Sequence, residues 1–240
     1  MNNKINDMEI NKIYNEDCID GIKRIASESI DVIITDPPYF VGMTHNGQKG
    51  DYNDLLIMKP FFSSLFQEFS RVLKPTGRLY MFCDWRTYAF YYPLMIQYVP
   101  VRNMLVWDKK SGPGSVYAFT HELVIFGQKE VTATKGCNVF KIPCFRSGAK
   151  KTNGEKVHPT QKPVEVIEKL IIDSTKEGDL ILDCFMGSGT TAVAAKKLNR
   201  NFIGFEIQEK YIAISDNRLK QVETQSTSIV NDHYNQDNHE

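Results

Sequence analysis

The sequence predicts an α/β protein built on a mostly parallel sheet with helices on both faces. Three observations predict it. Short apolar, β-branched runs alternate with longer stretches of helical periodicity. The run at residues 29–35 (SIDVIIT) stops dead at Asp36-Pro37-Pro38, as a buried strand must, because proline cannot continue a ladder. The 240 residues, 42 % of them hydrophobic, suffice for one generous domain with a buried core.

The elements follow in order. After the strand at 29–35, residues 59–73 set Phe62, Leu65, Phe66, Phe69 and Leu73 at helical spacing and stop before Pro75. Residues 77–83 (GRLYMFC) form the next strand and 88–98 a helix whose pattern Pro93 weakens. Residues 101–107 and 122–127 are two further strands. From 128 to 162 the chain is rich in Lys, Gly, Pro and Asn and loses periodicity; about 128–157 is set apart as an insertion. Order returns with a helix at 164–174 behind Pro163, a strand at 180–183, a helix at 190–198, a strand at 202–205 and a final helix at 208–222. The whole of 1–222 reads as one domain, and the polar tail at 223–240, without Lys or Arg, as disordered.

Composition excludes more than it selects. Lys and Arg number 29, as do Asp and Glu, so net charge gives no sign of a nucleic-acid partner. The five cysteines, at 18, 83, 137, 144 and 184, contain no C-x-x-C pair, which argues against a zinc ribbon or redox motif and for free thiols in a reducing compartment. The first ten residues, MNNKINDMEI, hold no signal-peptide run, and no apolar stretch approaches the roughly 20 residues of a membrane helix. The expectation is a soluble cytoplasmic protein with no membrane partner and no metal.

Residues 180–195 (LILDCFMGSGTTAVAA) read as strand, Gly-rich turn and helix. Gly187 and Gly189 permit positive φ and close backbone approach. The first helical turn offers free N–H groups to a polar ligand at the carboxyl end of a strand. A P-loop would need Lys before the Ser/Thr; here Gly189 is followed by Thr190 and Thr191. A plain connection remains the alternative for the turn alone. Residues 202–207 (FIGFEI) add an acid, Glu206, placed where a carboxylate grips a ribose diol.

The second signature is Asp36-Pro37-Pro38-Tyr39. Two prolines fix φ and supply no N–H, so their carbonyls stay available. A carboxylate, a rigid carbonyl and a flat ring could hold an amino group between two acceptors and stack its heterocycle. An exocyclic amine on a base has a delocalised lone pair, and drawing its hydrogens outward would favour attack on a methyl sulfonium. The bland alternative is a turn with Asp36 as a cap.

With DPPY at 36–39, HPTQKP at 158–163, DCFMGSGTT at 183–191, NEDC at 15–18 and FIGFEI at 202–207, the chain resembles the β-group, or permuted, amino-methyltransferases of DNA over residues 10–220. In that group the catalytic motif precedes the cofactor motif, as here. The resemblance implies a methyltransferase-type, Rossmann-like, mostly parallel seven-stranded sheet with a late antiparallel strand, and S-adenosyl-L-methionine as cofactor. It implies that Asp183, Phe185, Gly187, Ser188, Gly189, Thr190 and Thr191 line the cofactor pocket. Glu206 would bind the ribose, and Asp17 with Cys18 would sit by the cofactor's adenine. His158, Thr160 and Lys162 would close over the methionine end. Asp36 and the Pro37 carbonyl would hold the amine of a flipped base, Pro38 would stiffen the turn and Tyr39 would stack on the base. Cys184 stands where the group usually has proline.

The partner implied is DNA. Within the aperiodic stretch, Lys135, Lys141, Arg146, Lys150 and Lys151 are expected to meet phosphates; a solvated loop is the alternative. The stretch is short for target recognition, which points to a second subunit, hence a homodimer, or to a short site. The Gly-rich loop at 41–54 either orders over DNA or merely connects. Pro143-Cys144 has the form of a carbon-5 cytosine nucleophile but follows no buried strand, and the other cysteines read as small core residues. Asp at the head of the tetrapeptide is more typical of adenine enzymes in this group, Ser of cytosine enzymes. The expectation is therefore adenine N6 methylation, with the cytosine amino group, or a non-catalytic DNA-binding protein of the same fold, as alternatives.

Overall fold

A computed structural model of the chain describes residues 4–39, 44–45, 48–49, 52–112, 114, 117–133, 136–144, 151–152, 155–156 and 161–236. In chain order, β1 (Lys4–Ile5) and β2 (Met8–Glu9) form a hairpin, followed by β3 (Lys12–Tyr14), α1 (Cys18–Lys23) and β4 (Ile30–Thr35). A second hairpin, β5 (Thr44–His45) with β6 (Gln48–Lys49), precedes α2 (Tyr52–Ile57), α3 (Lys59–Val72), β7 (Leu73–Cys83) and α4 (Trp85–Met95). Then come β8 (Val101–Asp108), β9 (His121–Gln128), β10 (Val139–Lys141) and the hairpin of β11 (Lys151–Thr152) with β12 (Glu155–Lys156). The chain closes with α5 (Val164–Ser174), β13 (Leu180–Asp183), α6 (Thr190–Lys197), β14 (Asn201–Phe205) and α7 (Glu209–Gln236).

The main sheet has eight strands in the order β10-β8-β9-β7-β4-β13-β14-β3. Only β9 runs against its neighbours; every other pairing in this sheet is parallel. The fold class is the expected one, with one strand more than the seven predicted. β3 and β10 are the strands without a counterpart among the expected elements, and part of the stretch read as irregular joins the sheet as β10. It is held by Val106 N donating to Asn138 O (2.7 Å) and Trp107 Nε1 donating to Ile142 O (2.7 Å). Only Phe140 of its three residues is buried, too short a pattern for periodicity to reveal.

The central strand β4 shows why both faces are covered. Val32 and Ile34 point to one face and Ile33 to the other, and all three are fully buried. On the Ile33 face, α3 and α4 bring Phe62, Phe66, Phe69 and Tyr91; on the Val32 face, α5 and α6 bring Val166, Ile167, Leu170, Ile171 and Ala192. Phe62 and Tyr91 meet edge to face at 4.8 Å.

Several boundaries move. Leu73, expected as the end of a helix, opens β7. α4 starts at Trp85, earlier than its periodicity suggests, because Asp84 and Thr87 form a capping box. Pro93 sits in its last turn, so the one intrahelical N–H bond it removes lies near the helix end. α7 runs to Gln236, past the expected end at 222; residues 223–236 are polar but contain neither Gly nor Pro to stop a helix. Cys18, Cys83 and Cys184 are core residues as expected, but Cys137 is exposed and Cys144 half-buried.

What this topology positions is an edge. The carboxyl ends of β7, β4, β13, β14 and β3 lie together, and antiparallel β9 begins there. From β4 the chain moves to β7 on one side, and from β13 to β14 on the other. The gap between β4 and β13 is thus the switch point at which open α/β sheets bind ligands.

Candidate active site

One half of the edge is built from backbone donors closing on carboxylates. β13 ends in Asp183, which accepts from Phe185 N (3.0 Å), Thr35 Oγ1 (3.1 Å) and Thr191 Oγ1 (2.6 Å). One carboxylate thereby ties together the ends of β13 and β4 and the start of α6. Burial nonetheless pushes its pKa up to about 6, against these hydrogen bonds. The turn that follows passes through Gly187 (φ 53°) and Gly189 (φ 78°). A Cβ on Gly189 would lie 2.7 Å from that of Ser215, whose hydroxyl donates to Gly187 O at 3.0 Å. Arg218 donates to the Ser188 carbonyl and to Ser188 Oγ and Thr190 Oγ1, both at 3.2 Å. Burial lowers the pKa of Arg218 to about 10. The hydroxyls of Ser188, Thr190 and Thr191 therefore brace the turn.

Glu206 follows β14. Its Oε2 accepts from Gly187 N and its Oε1 from Gln208 N, each at 2.8 Å, and Asn15 Nδ2 donates to its carbonyl at 2.8 Å. Asp17 caps α1, accepting from Ile19 N at 2.7 Å. Cys18 and Cys184 are buried side by side, and burial pushes the Cys184 thiol well above its usual range. Phe185 is half-buried, its ring 6.4 Å from that of Phe61. The expected cofactor residues Asp17, Cys18, Asp183, Phe185, Gly187, Ser188, Gly189, Thr190, Thr191 and Glu206 are thus gathered around the ends of β3, β14 and β13.

The other half is built from charged side chains on separate elements. Asp36 and Pro37 leave the end of β4; Pro37 is buried, Pro38 exposed and Tyr39 half-buried. Lys162 Nζ lies 2.6 Å from Asp36 Oδ2 and 3.1 Å from Glu122 Oε2, and over the Phe82 ring at 4.6 Å. Lys109 Nζ approaches Glu122 Oε1 at 3.3 Å, and Tyr39 donates to Glu122 Oε2 at 3.4 Å. Asp36 keeps 29 % side-chain exposure, yet its Oδ1 is covered and has no hydrogen-bond partner among the described residues. Burial raises the Asp36 pKa; Lys162 opposes this and Glu122 adds to it. Burial also acts to raise Glu122, but Lys162 and Lys109 outweigh it and hold Glu122 below the usual carboxylate range. Burial disfavours the Lys162 ammonium, but its two carboxylate partners raise its pKa overall.

Lys162, grouped with the cofactor residues on sequence, sits against Asp36 instead. Its partners explain this: two carboxylates within 3.1 Å are a stronger hold than the neighbouring turn offers. His158 and Thr160 lie outside the described residues. So do Lys135, Arg146 and Lys150, and the side chain of Lys151; Lys141 is exposed on β10, the far edge strand. Sequence reasoning missed Glu122 and Lys109. Their signal was faint: an acid at the start of a strand looks like a surface residue unless that strand is known to run antiparallel. Among the described residues no group of His, Cys, Asp and Glu could hold a metal, and no helix is long and apolar enough to cross a membrane.

Comparison with known proteins agrees with this geometry. The family model described as DNA methylase of the N6/N4 type matches residues 30–134 and 117–217. The chain is 30 % identical to the type II methyltransferase M.HinfI of Haemophilus influenzae, over 95 % of this chain and 73 % of that protein. It superposes on the M1.HpyAVI complex with S-adenosyl-L-methionine with a TM-score of 0.63 at 25 % identity, covering 87 % of this chain and 98 % of that one. The cytosine-N4-specific PvuII DNA methyltransferase shares the fold, with a TM-score of 0.69 at 20 % identity over 92 % of each chain.

Proposed function

The chain belongs to the N6/N4 family of DNA methylases and takes its methyl group from S-adenosyl-L-methionine; on that premise we propose that it methylates the N6 amine of adenine in DNA, as a permuted, β-group enzyme of the DPPY type. The observation that carries the proposal is Asp36 at the switch-point edge, with a covered oxygen, Oδ1, that no described residue satisfies. A buried acceptor without a donor is costly, and a substrate amine is the donor that would relieve it.

The residues on the β13 half fit the cofactor. Glu206 presents a carboxylate already oriented by two backbone N–H groups, suited to a ribose diol, and the Gly187–Gly189 turn lets the backbone come close. Asp17, Cys18, Asp183 and Phe185 would complete the pocket. When bound, the cofactor supplies an electrophilic methyl sulfonium. The protein's own work is then on the amine. The target base must leave the duplex to reach this edge. Asp36 and the Pro37 carbonyl accept its two amine hydrogens, which turns the nitrogen lone pair out of the ring plane. Tyr39 offers a face to the base. Holding the amine in line accounts for much of the acceleration, since positioning alone can be worth several orders of magnitude.

Adenine is favoured over cytosine by Asp36 itself, the residue at the head of the motif. M.HinfI is named a type II methyltransferase, which supports a role here in modifying a short site protected from a cognate nuclease. Sequencing methylated bases in DNA from cells expressing the protein tests the reading. N6-methyladenine at one short motif supports it; N4-methylcytosine would move the assignment to the other amine, and unmodified DNA would refute activity.

A further inference from the structure

The ion-pair chain across the catalytic edge runs Lys109–Glu122–Lys162–Asp36 and joins four separate parts of the sequence. Its end is asymmetric. Asp36 Oδ2 is engaged by Lys162, while Oδ1 is left without a partner among the described residues. Lys162 is only 9 % exposed in its side chain and is boxed in by the Phe82 ring below and Glu122 beside it. A lysine so confined has lost its rotamer freedom before any substrate arrives.

We propose that Lys162 is a positioning residue for the amine acceptor: it grips Asp36 by Oδ2 so that Oδ1 alone stays free for an amine hydrogen, and Glu122, braced by Lys109, holds Lys162 in place. This rests on Asp36 being the acceptor of the target amine. The grip also settles the charge of the acceptor. With Oδ2 held by Lys162, a proton on Asp36 would sit on Oδ1 and present the amine with a donor, and burial favours that proton. The groups that face it are Lys162 from the segment before α5, Glu122 from β9, Tyr39 from its own turn, Cys83 at the end of β7, Tyr91 from α4 and Asp183 at the end of β13. Lys162 is the one cation among these, and Glu122 is the acid that moderates it.

The two partners therefore pull in opposite directions, and that makes the proposal testable. The measurement is single-turnover transfer of tritiated methyl to methylation-free genomic DNA across pH, together with the cofactor dissociation constant. Lys162→Met, Lys162→Arg and Glu122→Gln are compared with wild type, and Asp36→Ala is the control. In Lys162→Met the acid limb of the profile should move to higher pH, and the rate on that limb should fall about tenfold for each unit moved. Lys162→Arg should bring the limb back toward wild type. Glu122→Gln, which removes the like charge, should move it to lower pH. Cofactor affinity should stay within about twofold throughout, well under the tenfold step that 1.4 kcal/mol produces. An unmoved limb in Lys162→Met, or the same direction of movement for Met and Gln variants, would overturn the proposal. So would weakened cofactor binding with an unmoved limb, which would return Lys162 to the cofactor. If Lys162→Met does not fold, Lys162→Gln is measured in its place: a limb moved to higher pH supports the proposal and an unmoved one refutes it. An active Asp36→Ala would instead sink the reading of Asp36 on which all this stands.

Discussion

The two halves of the active edge reach the same end by different physics. On the β13–β14 side, Asp183 and Glu206 are fixed largely by backbone N–H groups and hydroxyls a few residues away or on adjacent strands. On the β4–β9 side, Asp36 and Glu122 are fixed by lysines far away in sequence, with charge balanced against charge. A cradle of carboxylates held by nearby backbone N–H groups and hydroxyls suits a cofactor that must bind and be released at every turnover. A charged, side-chain-made clamp can be tuned to the chemistry of an amine. The difference teaches that losses on the second side should appear in rate, and losses on the first in affinity and stability.

Asp36→Ala should separate the halves most sharply. Methyl transfer should drop by about a hundredfold or more, the usual scale for losing a group that handles the reacting proton, while calorimetry shows cofactor affinity intact. A variant within a few-fold of wild type would erase the proposed division of labour.

Asp183 gives the next largest effect, on stability. Its pKa rises from 3.8 to about 6 on folding, so the folded state holds an extra proton within that window. The contribution of this group is greatest below the lower value and falls as pH climbs through the window, by roughly 3 kcal/mol in all. Asp183→Asn cannot titrate, so its urea midpoint should lack this slope. Parallel pH profiles for the two proteins would show that Asp183 is ionised throughout.

Glu206→Ala should weaken cofactor binding by about 1–3 kcal/mol, the cost of losing a hydrogen bond to a charged group. The substitution also frees Gly187 N and Gln208 N, so the turn should loosen with it. An unchanged dissociation constant would place the ribose elsewhere.

The smallest effect expected is on DNA affinity. Neutralising Lys150 and Lys151 together should lower the slope of log affinity against log salt by nearly two, at roughly 0.9 per phosphate contact. Cofactor binding and base preference should survive. Parallel salt lines would mean that these lysines are merely solvated.

The same contrast governs what could be read from the sequence. Gly187, Asp183 and Glu206 were legible because local geometry dictates them: a strand end, a tight turn and a helix start lie within a few residues. Asp36 was legible for the same reason, following a buried strand and preceding two prolines. Glu122 and Lys109 were not, because their placement depends on the reversal of β9, a property of the whole sheet. Lys162 was found, but its ion pairs with Asp36 and Glu122 were not, since its motif fixes what precedes α5 and not which strand end it reaches. β3, α1 and β10 escaped because two or three turns of pattern are needed before periodicity can speak.

The strand order has a last consequence, for a chain still on the ribosome. β4, β7, β8, β9 and β10 all come from residues 30–141 and are neighbours in the sheet. Among the described residues, β3 pairs in the main sheet with β14 alone, with Asn15 and Glu206 bonded across 191 residues. At about 5–20 residues per second, β3 waits on the order of 10–40 s for that partner to be synthesised. The β4–β10 half of the sheet can order early, from contacts close in sequence, although the Lys162 contact to Asp36 waits for the segment before α5. The half that holds Glu206 and Asp17 closes only with the last strand. On the proposed assignment, the strand that leads into Asp36 can be in place before Glu206 exists, and the cofactor half is completed by the last strand to be made.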